Sequence, residues 1–317
     1  MNKKYDVVAL GELLIDFTEN GLSQQGNPIM EANPGGAPCN VLAMLKRFGH
    51  EVAFIGKVGD DSLGHMLADT VEELGIETKG LLFDKEVHTT LAFVHTKPNG
   101  DRDFSFYRNP GADVMLTADE VPMDMIRDTQ IFHFGTLSMT HPAVEETTIK
   151  AIDEAKAAGA IISFDPNLRP PLWDTLDRAK EKMAYGMSKC DILKISDNEI
   201  QFFTGEEDIV KGIEKIRQQY DIKLVLATLG PDGSIAFYKD MQVSGKPYRT
   251  EKTIETTGAG DTFMGCSLHG VLETGIDNLD EKSLAKILDT ANHAASVITT
   301  RRGALRVMPQ LCEFLED

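Results

Sequence analysis

The chain has 317 residues, with 32 Lys+Arg against 50 Asp+Glu for a net charge of −18, and it is 42% apolar and 26% charged. That composition is ordinary for a globular protein and supports a sizeable core, which excludes wholesale disorder. The negative balance argues against sequence-independent nucleic-acid binding but leaves room for small anions, because one helix N-terminus or a few Arg reverse the local potential.

The N-terminal MNKKYDVVAL turns polar at Gly11–Glu12, too early for a signal-peptide core. No run approaches the roughly 18 apolar residues of a membrane span. Cys39, Cys190, Cys266 and Cys312 are far apart and form no CxxC pair, so buried thiols are expected rather than a zinc cage or a disulfide scaffold. The expectation is a soluble cytoplasmic protein.

In chain order, the first apolar β-branched run is Val7–Leu10. Leu13–Phe17 alternates apolar and polar residues, and a turn-rich stretch continues to Pro34. A helical pattern covers Cys39–Phe48, a strand Val52–Ile55 and a second helix Leu63–Leu74. Thr89–Tyr107 reads as two strands around Lys97-Pro-Asn-Gly-Asp101, where Asn-Gly suits a tight turn. Strands at Ile131–Phe134, Ile161–Phe164, Ile192–Ile195 and Leu224–Ala227 then alternate with helices such as Ala143–Ala158 and Ile209–Tyr220. This alternation predicts βαβ units, hence a mainly parallel sheet flanked by helices in one α/β domain over residues 1–317. The segments at about 12–33 and 87–110 form either a surface hairpin or a small lid sheet over a site. Several strands are followed by small or polar residues (Gly11, Gly56, Gly135, Asp165, Ser196, Thr228), which would line a crevice at the carboxyl edge of such a sheet.

The strongest local motif is Glu255-Thr-Thr-Gly-Ala-Gly-Asp261, leading into the apolar-periodic Phe263–Leu272. Small residues at a helix start let amides converge on an anion, and Asp261 in the first turn can take a proton from an attacking hydroxyl. The same run also reads as a glycine loop with an ordinary helix-start Asp. It is no dinucleotide fingerprint, since position 263 is Phe, and no GxxxxGK[ST] occurs anywhere. Asn33-Pro-Gly-Gly-Ala-Pro-Cys-Asn40 opens a helix with two glycines, Gly35 and Gly36, that permit close approach, and Asn40 offers a donor and an acceptor suited to sugar hydroxyls. Thr228-Leu-Gly230-Pro-Asp-Gly233 reads as a hairpin that borders a ligand or simply turns. The eight histidines show no metal spacing.

Together these residues resemble the ribokinase-like carbohydrate kinases of the phosphofructokinase-B type, over nearly the whole chain. The resemblance is carried by Pro34-Gly-Gly-Ala-Pro-Cys-Asn40 continuing to Ile55-Gly-Lys-Val-Gly-Asp-Asp61, and by Thr256-Thr-Gly-Ala-Gly-Asp261, in that order and about 200 residues apart. Phe106-Tyr-Arg-Asn-Pro-Gly-Ala-Asp113 and Phe164-Asp-Pro-Asn-Leu-Arg-Pro-Pro-Leu-Trp173 resemble the fructokinase branch, and 2-keto-3-deoxygluconate kinases carry related versions.

The resemblance implies a ribokinase-like fold with a β-sheet lid, and an ATP-dependent sugar kinase making fructose 6-phosphate from fructose. Asp261 would be the base, with the amides of Gly258, Ala259, Gly260 and Asp261 as the anion hole. Asp16, Gly35, Gly36 and Asn40 would hold the sugar, and Arg108 and Arg169 would grip sugar or phosphate oxygens. Lys194, Thr228, Gly230, Gly233 and Asn292 would border ATP, and Glu199 would act on Mg²⁺ through water. Two positions depart from the family pattern: Ser196 replaces the Asn of its NxxE motif, and Glu255, with Val307, leaves activation by K⁺ open. Relatives often pair their lids, which implies a homodimer. A sugar binder of the same fold without turnover is disfavoured by the intact Asp261, and a nicotinamide dehydrogenase by the missing glycine fingerprint.

Overall fold

A computed structural model describes residues 3–96 and 102–315. The chain begins with β1 (Tyr5–Leu10), then makes the antiparallel pair β2 (Leu14–Leu22) and β3 (Pro28–Gly35) before helix α1 (Ala37–Arg47). Next come β4 (Val52–Gly59), α2 (Ser62–Glu73), β5 (Glu77–Asp84) and a second antiparallel pair, β6 (Leu91–Thr96) and β7 (Arg102–Tyr107). The Asn-Gly turn expected between them lies outside the described residues. The chain continues through α3 (Met123–Arg127), β8 (Thr129–Gly135), α4 (Pro142–Ala157), β9 (Ile161–Asp165), α5 (Leu176–Lys189) and β10 (Ile192–Ser196). It then passes α6 (Asp197–Thr204), α7 (Ile209–Gln219), β11 (Leu224–Thr228), β12 (Ser234–Tyr238) and β13 (Met241–Gly245), ending in α8 (Ala259–Thr274) and α9 (Glu281–Ile298).

The main sheet has the order β13-β12-β11-β10-β9-β8-β1-β4-β5. It is parallel from β5 to β11, and β12 and β13 add antiparallel hairpins at one edge. Central strands such as β10 are buried on both faces, as their unbroken apolar runs require. One apolar layer packs on each face: Leu42, Phe54 and Phe263 lie in one cluster, and Phe132, Phe134 and Phe164 in the other. Several helix starts, α2 and α9 among them, follow local capping chemistry. Asp61 accepts from the Leu63 and Gly64 amides ahead of α2, and Asp280 forms a capping box ahead of α9.

The second sheet, β3-β2-β6-β7, answers the open question about the two insertions: they form one four-stranded layer, with β2 and β6 parallel. The turn-rich reading up to Pro34 needs correcting, because β3 occupies Pro28–Gly35. Strand β4 likewise runs past Ile55 to Gly59, so Gly56 is a packing glycine inside a strand rather than a strand end. Asp165, Ser196 and Thr228 do end β9, β10 and β11 at the carboxyl edge, beside which the small sheet lies.

Candidate active site

Two cavities open along that edge. One, of about 790 Å³, lies between the small sheet and the starts of α1 and α8, and is lined by Glu12, Asp16, Gly36, Asn40, Glu255 and Asp261 among others. The other, of about 610 Å³, lies over β10 and β11 and is lined by Ser196, Glu199, Thr228, Gly230, Gly233 and Asn292 among others. Arg169, Lys194 and Gly260 face both cavities. This seam is where a group can pass from one ligand to the other.

The seam is built on the start of α8. Gly258 precedes the helix at φ 78°, a left-handed conformation, and a Cβ there would lie 2.6 Å from the Ala304 Cβ, so glycine is required twice over. First-turn amides have no intrahelical partner, and no side chain among the described residues caps this helix start. The Ala259 amide, expected in the anion site, instead donates to the Thr256 carbonyl at 3.2 Å, which leaves Gly258, Gly260 and Asp261 to offer that site with the helix dipole behind it. Lys194 packs over it, since a Cβ on Gly260 would sit 2.9 Å from its Nζ. Buried Lys194 is held by buried Asp165, 2.8 Å away. Burial works against its charge, but Asp165, Glu199 and Asp261 outweigh that and raise its pKa. Asp261 has the reverse balance. Burial, with Asp165, raises its pKa to about 6, against a hydrogen bond from Asn40 and the charges of Lys194 and Arg169. A carboxylate poised there is ionised at neutral pH and basic enough to take a hydroxyl proton.

On the first cavity's side, β2 brings Asp16 and the start of α1 brings Asn40. Burial lifts Asp16 to about 7, with Arg169 opposing and Glu255 and Asp261 reinforcing. Gly35 is set back from the wall, and its missing side chain makes room for Asp16, whose Oδ2 lies 2.4 Å from where a Cβ would be. Glu12, which sequence reasoning did not select, also lines this cavity. It is 4% exposed, its Oε1 accepts from the Ala37 amide at 2.8 Å, and burial raises its pKa to about 7. Its only signal was a charged residue placed straight after a buried strand.

Arg108 corrects an expectation. Its guanidinium is 3% exposed and donates to Asp113 Oδ2 at 2.6 and 2.8 Å, to Thr140 Oγ1 at 2.9 Å and to the Leu137 carbonyl at 2.9 Å. With these partners it does not line the first cavity; it braces Leu137, which does. Arg169 is the arginine at the site, and its loop turns at Asn167, whose φ is 44° and whose amide donates to Asp165 Oδ1 at 3.1 Å.

On the second cavity's side, Thr228, Gly230 and Gly233 form the turn of the β11–β12 hairpin, as expected, and that turn also lines the cavity. Asn292 reaches it from α9 and donates from Nδ2 to the Lys246 carbonyl at 3.0 Å. Ser196 caps α6: its Oγ and the Glu199 side chain form a reciprocal capping box. Glu199 Oε2 accepts from the Ser196 amide and hydroxyl, each at 2.8 Å, and Oε1 from the Leu168 amide at 2.8 Å. Ser at this position therefore does a structural job that fixes the Glu.

A cavity lined by carboxylates, joined through a helix start and a lysine to a second cavity that holds Arg169, Lys194, Asp197 and Glu199 among neutral groups, is the layout of a phosphoryl-transfer enzyme acting on a small alcohol. The profile of the pfkB family carbohydrate kinases matches residues 4–311, and the chain belongs to that family. Among curated relatives, the probable fructokinase-2 of Arabidopsis thaliana is 39% identical over 311 residues, covering 98% of this chain and 94% of its own. Among solved structures, the Xylella fastidiosa fructokinase with bound ATP superposes with a TM-score of 0.89 at 30% identity, covering 98% of this chain and 97% of that one. A double mutant of the Vibrio cholerae O395 fructokinase, bound to fructose, ADP and a potassium ion, gives 0.87 at 29% identity and covers all of both chains. The fold is thus ribokinase-like, with a large mostly parallel sheet and a small second sheet.

Proposed function

We propose that this chain is an ATP-dependent fructokinase, transferring the γ-phosphoryl group of ATP to the primary hydroxyl of D-fructose to give fructose 6-phosphate and ADP. The observation that carries this reading is the seam, where Gly260 of α8, Lys194 and Arg169 face both cavities and Asp261, in the same helical turn as Gly260, lines the first. Full-length similarity to fructokinases supports the choice of sugar. Asp261 accepts the hydroxyl proton as the oxygen–phosphorus bond forms and the bond to ADP breaks. The Gly258, Gly260 and Asp261 amides and Lys194 stabilise the charge on the transferring group, and Asp16, Asn40 and Arg169 orient the sugar. The small sheet, standing beside the first cavity, acts as the lid that limits water access to the phosphoryl group.

The first cavity presents Glu12, Asp16, Glu255 and Asp261 against Arg169 and a Lys194 already paired with Asp165. That balance suits a neutral sugar better than 2-keto-3-deoxygluconate, whose carboxylate would add a further negative charge. Magnesium travels with ATP in this reading. Glu199 has its oxygens occupied by amides and a hydroxyl, and no group of three His, Cys, Asp or Glu among the described residues could hold a metal. An outer contact through water fits both facts, since Mg²⁺ keeps much of its hydration shell. Such an ion would neutralise phosphate charge.

For potassium, the buried Glu255 accepts the Gly303 amide through Oε1 at 2.9 Å and keeps Oε2 for a cation; replacing potassium by tetramethylammonium in the assay tests this. We infer a homodimer through the lid. Phe17, Phe93 and Tyr107 stack on the face opposite Asp16 and Phe106, and Tyr107 is 65% exposed. Sedimentation of Tyr107→Glu as a monomer is the expected result. No helix among the described residues is long and apolar enough to cross a membrane. ATP as substrate and four unpaired cysteines support a cytoplasmic location.

The test of the mechanism is Asp261→Asn. It is expected to bind fructose and ATP and to lose at least about 100-fold in turnover, the range for removal of an aligned base. Near-wild-type turnover would end the proposed role.

A further inference from the structure

Helices α1 and α8 touch at Gly265, one turn beyond Asp261. A Cβ on Gly265 would lie 2.6 Å from the Met44 Cβ and 2.9 Å from the Val41 carbonyl oxygen, so no other residue lets the helices approach this closely. The approach places Asn40, only 3% exposed, so that its Nδ2 donates to Asp261 Oδ2 at 2.8 Å. A carboxylate cannot donate, so the amide must present its nitrogen to Asp261. Its Oδ1 is then left buried with no hydrogen-bond partner among the described residues. Leaving a buried acceptor unpaired is unfavourable, and a sugar hydroxyl in the cavity would satisfy it.

We propose that Asn40 is a positioning residue for the base. With α1 and α8 locked together at Gly265, its Nδ2 fixes the Asp261 rotamer and favours the ionised form, while its Oδ1 senses a bound sugar hydroxyl. Only Asp261 Oδ1 is then left to receive the proton. The charged groups facing Asp261 are Asp16 from β2, Asp165 from β9, Lys194 from β10 and Arg169 from the loop after β9. Burial raises the base to about 6, and the Asn40 hydrogen bond opposes that rise. The inference rests on Asp261 being the base.

The experiment is the pH profile of kcat with fructose and Mg·ATP saturating, so that Asp16 is already engaged by sugar. In Asn40→Ala the acidic limb should move up by about one pH unit, the size of one hydrogen bond to a charged group. Turnover on the alkaline plateau should fall about tenfold from lost orientation, with the ATP KM unchanged. Asn40→Asp, which sets a second carboxylate beside the base, should move the limb further. Gly265→Ala should reproduce the shift with Asn40 and Asp261 both intact; if it fails to fold, the two Asn40 variants still decide. A raised fructose KM with an unmoved limb would reduce Asn40 to a sugar ligand and overturn the proposal. If Asp261→Asn itself keeps its turnover, the base assignment fails; if it is inactive and the Asn40 limb stays put, only the clamp fails.

Discussion

In the cavity proposed for the sugar the lining polar groups are side chains, such as Glu12 after β1, Asp16 on β2, Asn40 on α1 and Asp261 on α8, most of them carboxylates lifted by burial. In the cavity proposed for the nucleotide, the Thr228–Gly233 turn, the first turn of α8 and Asn292 contribute backbone and neutral groups beside Glu199 and Asp197, with Arg169 and Lys194 at the boundary. The first region depends on buried carboxylates whose ionisation burial opposes. The second depends on chain geometry, which a single side-chain change alters little. Substitutions should accordingly hit sugar handling and stability harder than nucleotide binding, and the boundary hardest of all in catalysis.

The largest effect on stability is expected behind the sugar cavity. Arg108→Ala leaves Asp113, 4% exposed, without its counter-ion, a class of change that costs about 3–5 kcal/mol. Thermal unfolding should show that loss while the fructose KM of the folded enzyme moves little. A raised fructose KM at unchanged stability would instead make Arg108 a sugar ligand. At the boundary, Lys194→Ala should lower kcat/KM for ATP about 100-fold by removing a cation from the transferring phosphoryl group. A loss confined to fructose KM would put Lys194 in the wrong cavity.

Asp16→Asn should raise the fructose KM about tenfold, the worth of one charged hydrogen bond, and leave the ATP KM alone. The same variant carries a pH signature. Asp16 is raised from 3.8 to about 7, so the folded state holds its proton more tightly than the unfolded state does. The resulting stabilisation is complete below the unfolded value and is lost as pH rises through about 7. The ligand-free protein should therefore melt at lower temperature at about pH 8 than at about pH 5, and Asp16→Asn should flatten that slope. A slope unchanged by the substitution would show that Asp16 is not the group responsible.

The same contrast governs what could be read from the sequence. Central strands and the long amphipathic helices are visible because burial on two faces or on one stripe dictates apolar periodicity, as in β10 and α7. Strand β5 is an edge strand with exposed charged residues, and it has no such pattern. The glycine-rich starts of α1 and α8 were legible because backbone geometry restricts the residue type. Glu12, the Asn40–Asp261 bond and the enclosure of Arg108 were not, because each depends on segments far apart in the chain. Asn40 and Asp261 are separated by 221 positions. Nothing local marks which of Arg108 and Arg169 meets a buried carboxylate first.

The most direct test is ADP release by the unmodified protein with Mg·ATP, measured side by side against fructose, glucose, ribose and 2-keto-3-deoxygluconate. A carboxylate-lined cavity feeding Asp261 predicts strong preference for fructose and rejection of the keto-deoxy acid. Turnover with the acid alone would contradict the reading of that cavity while leaving the seam intact.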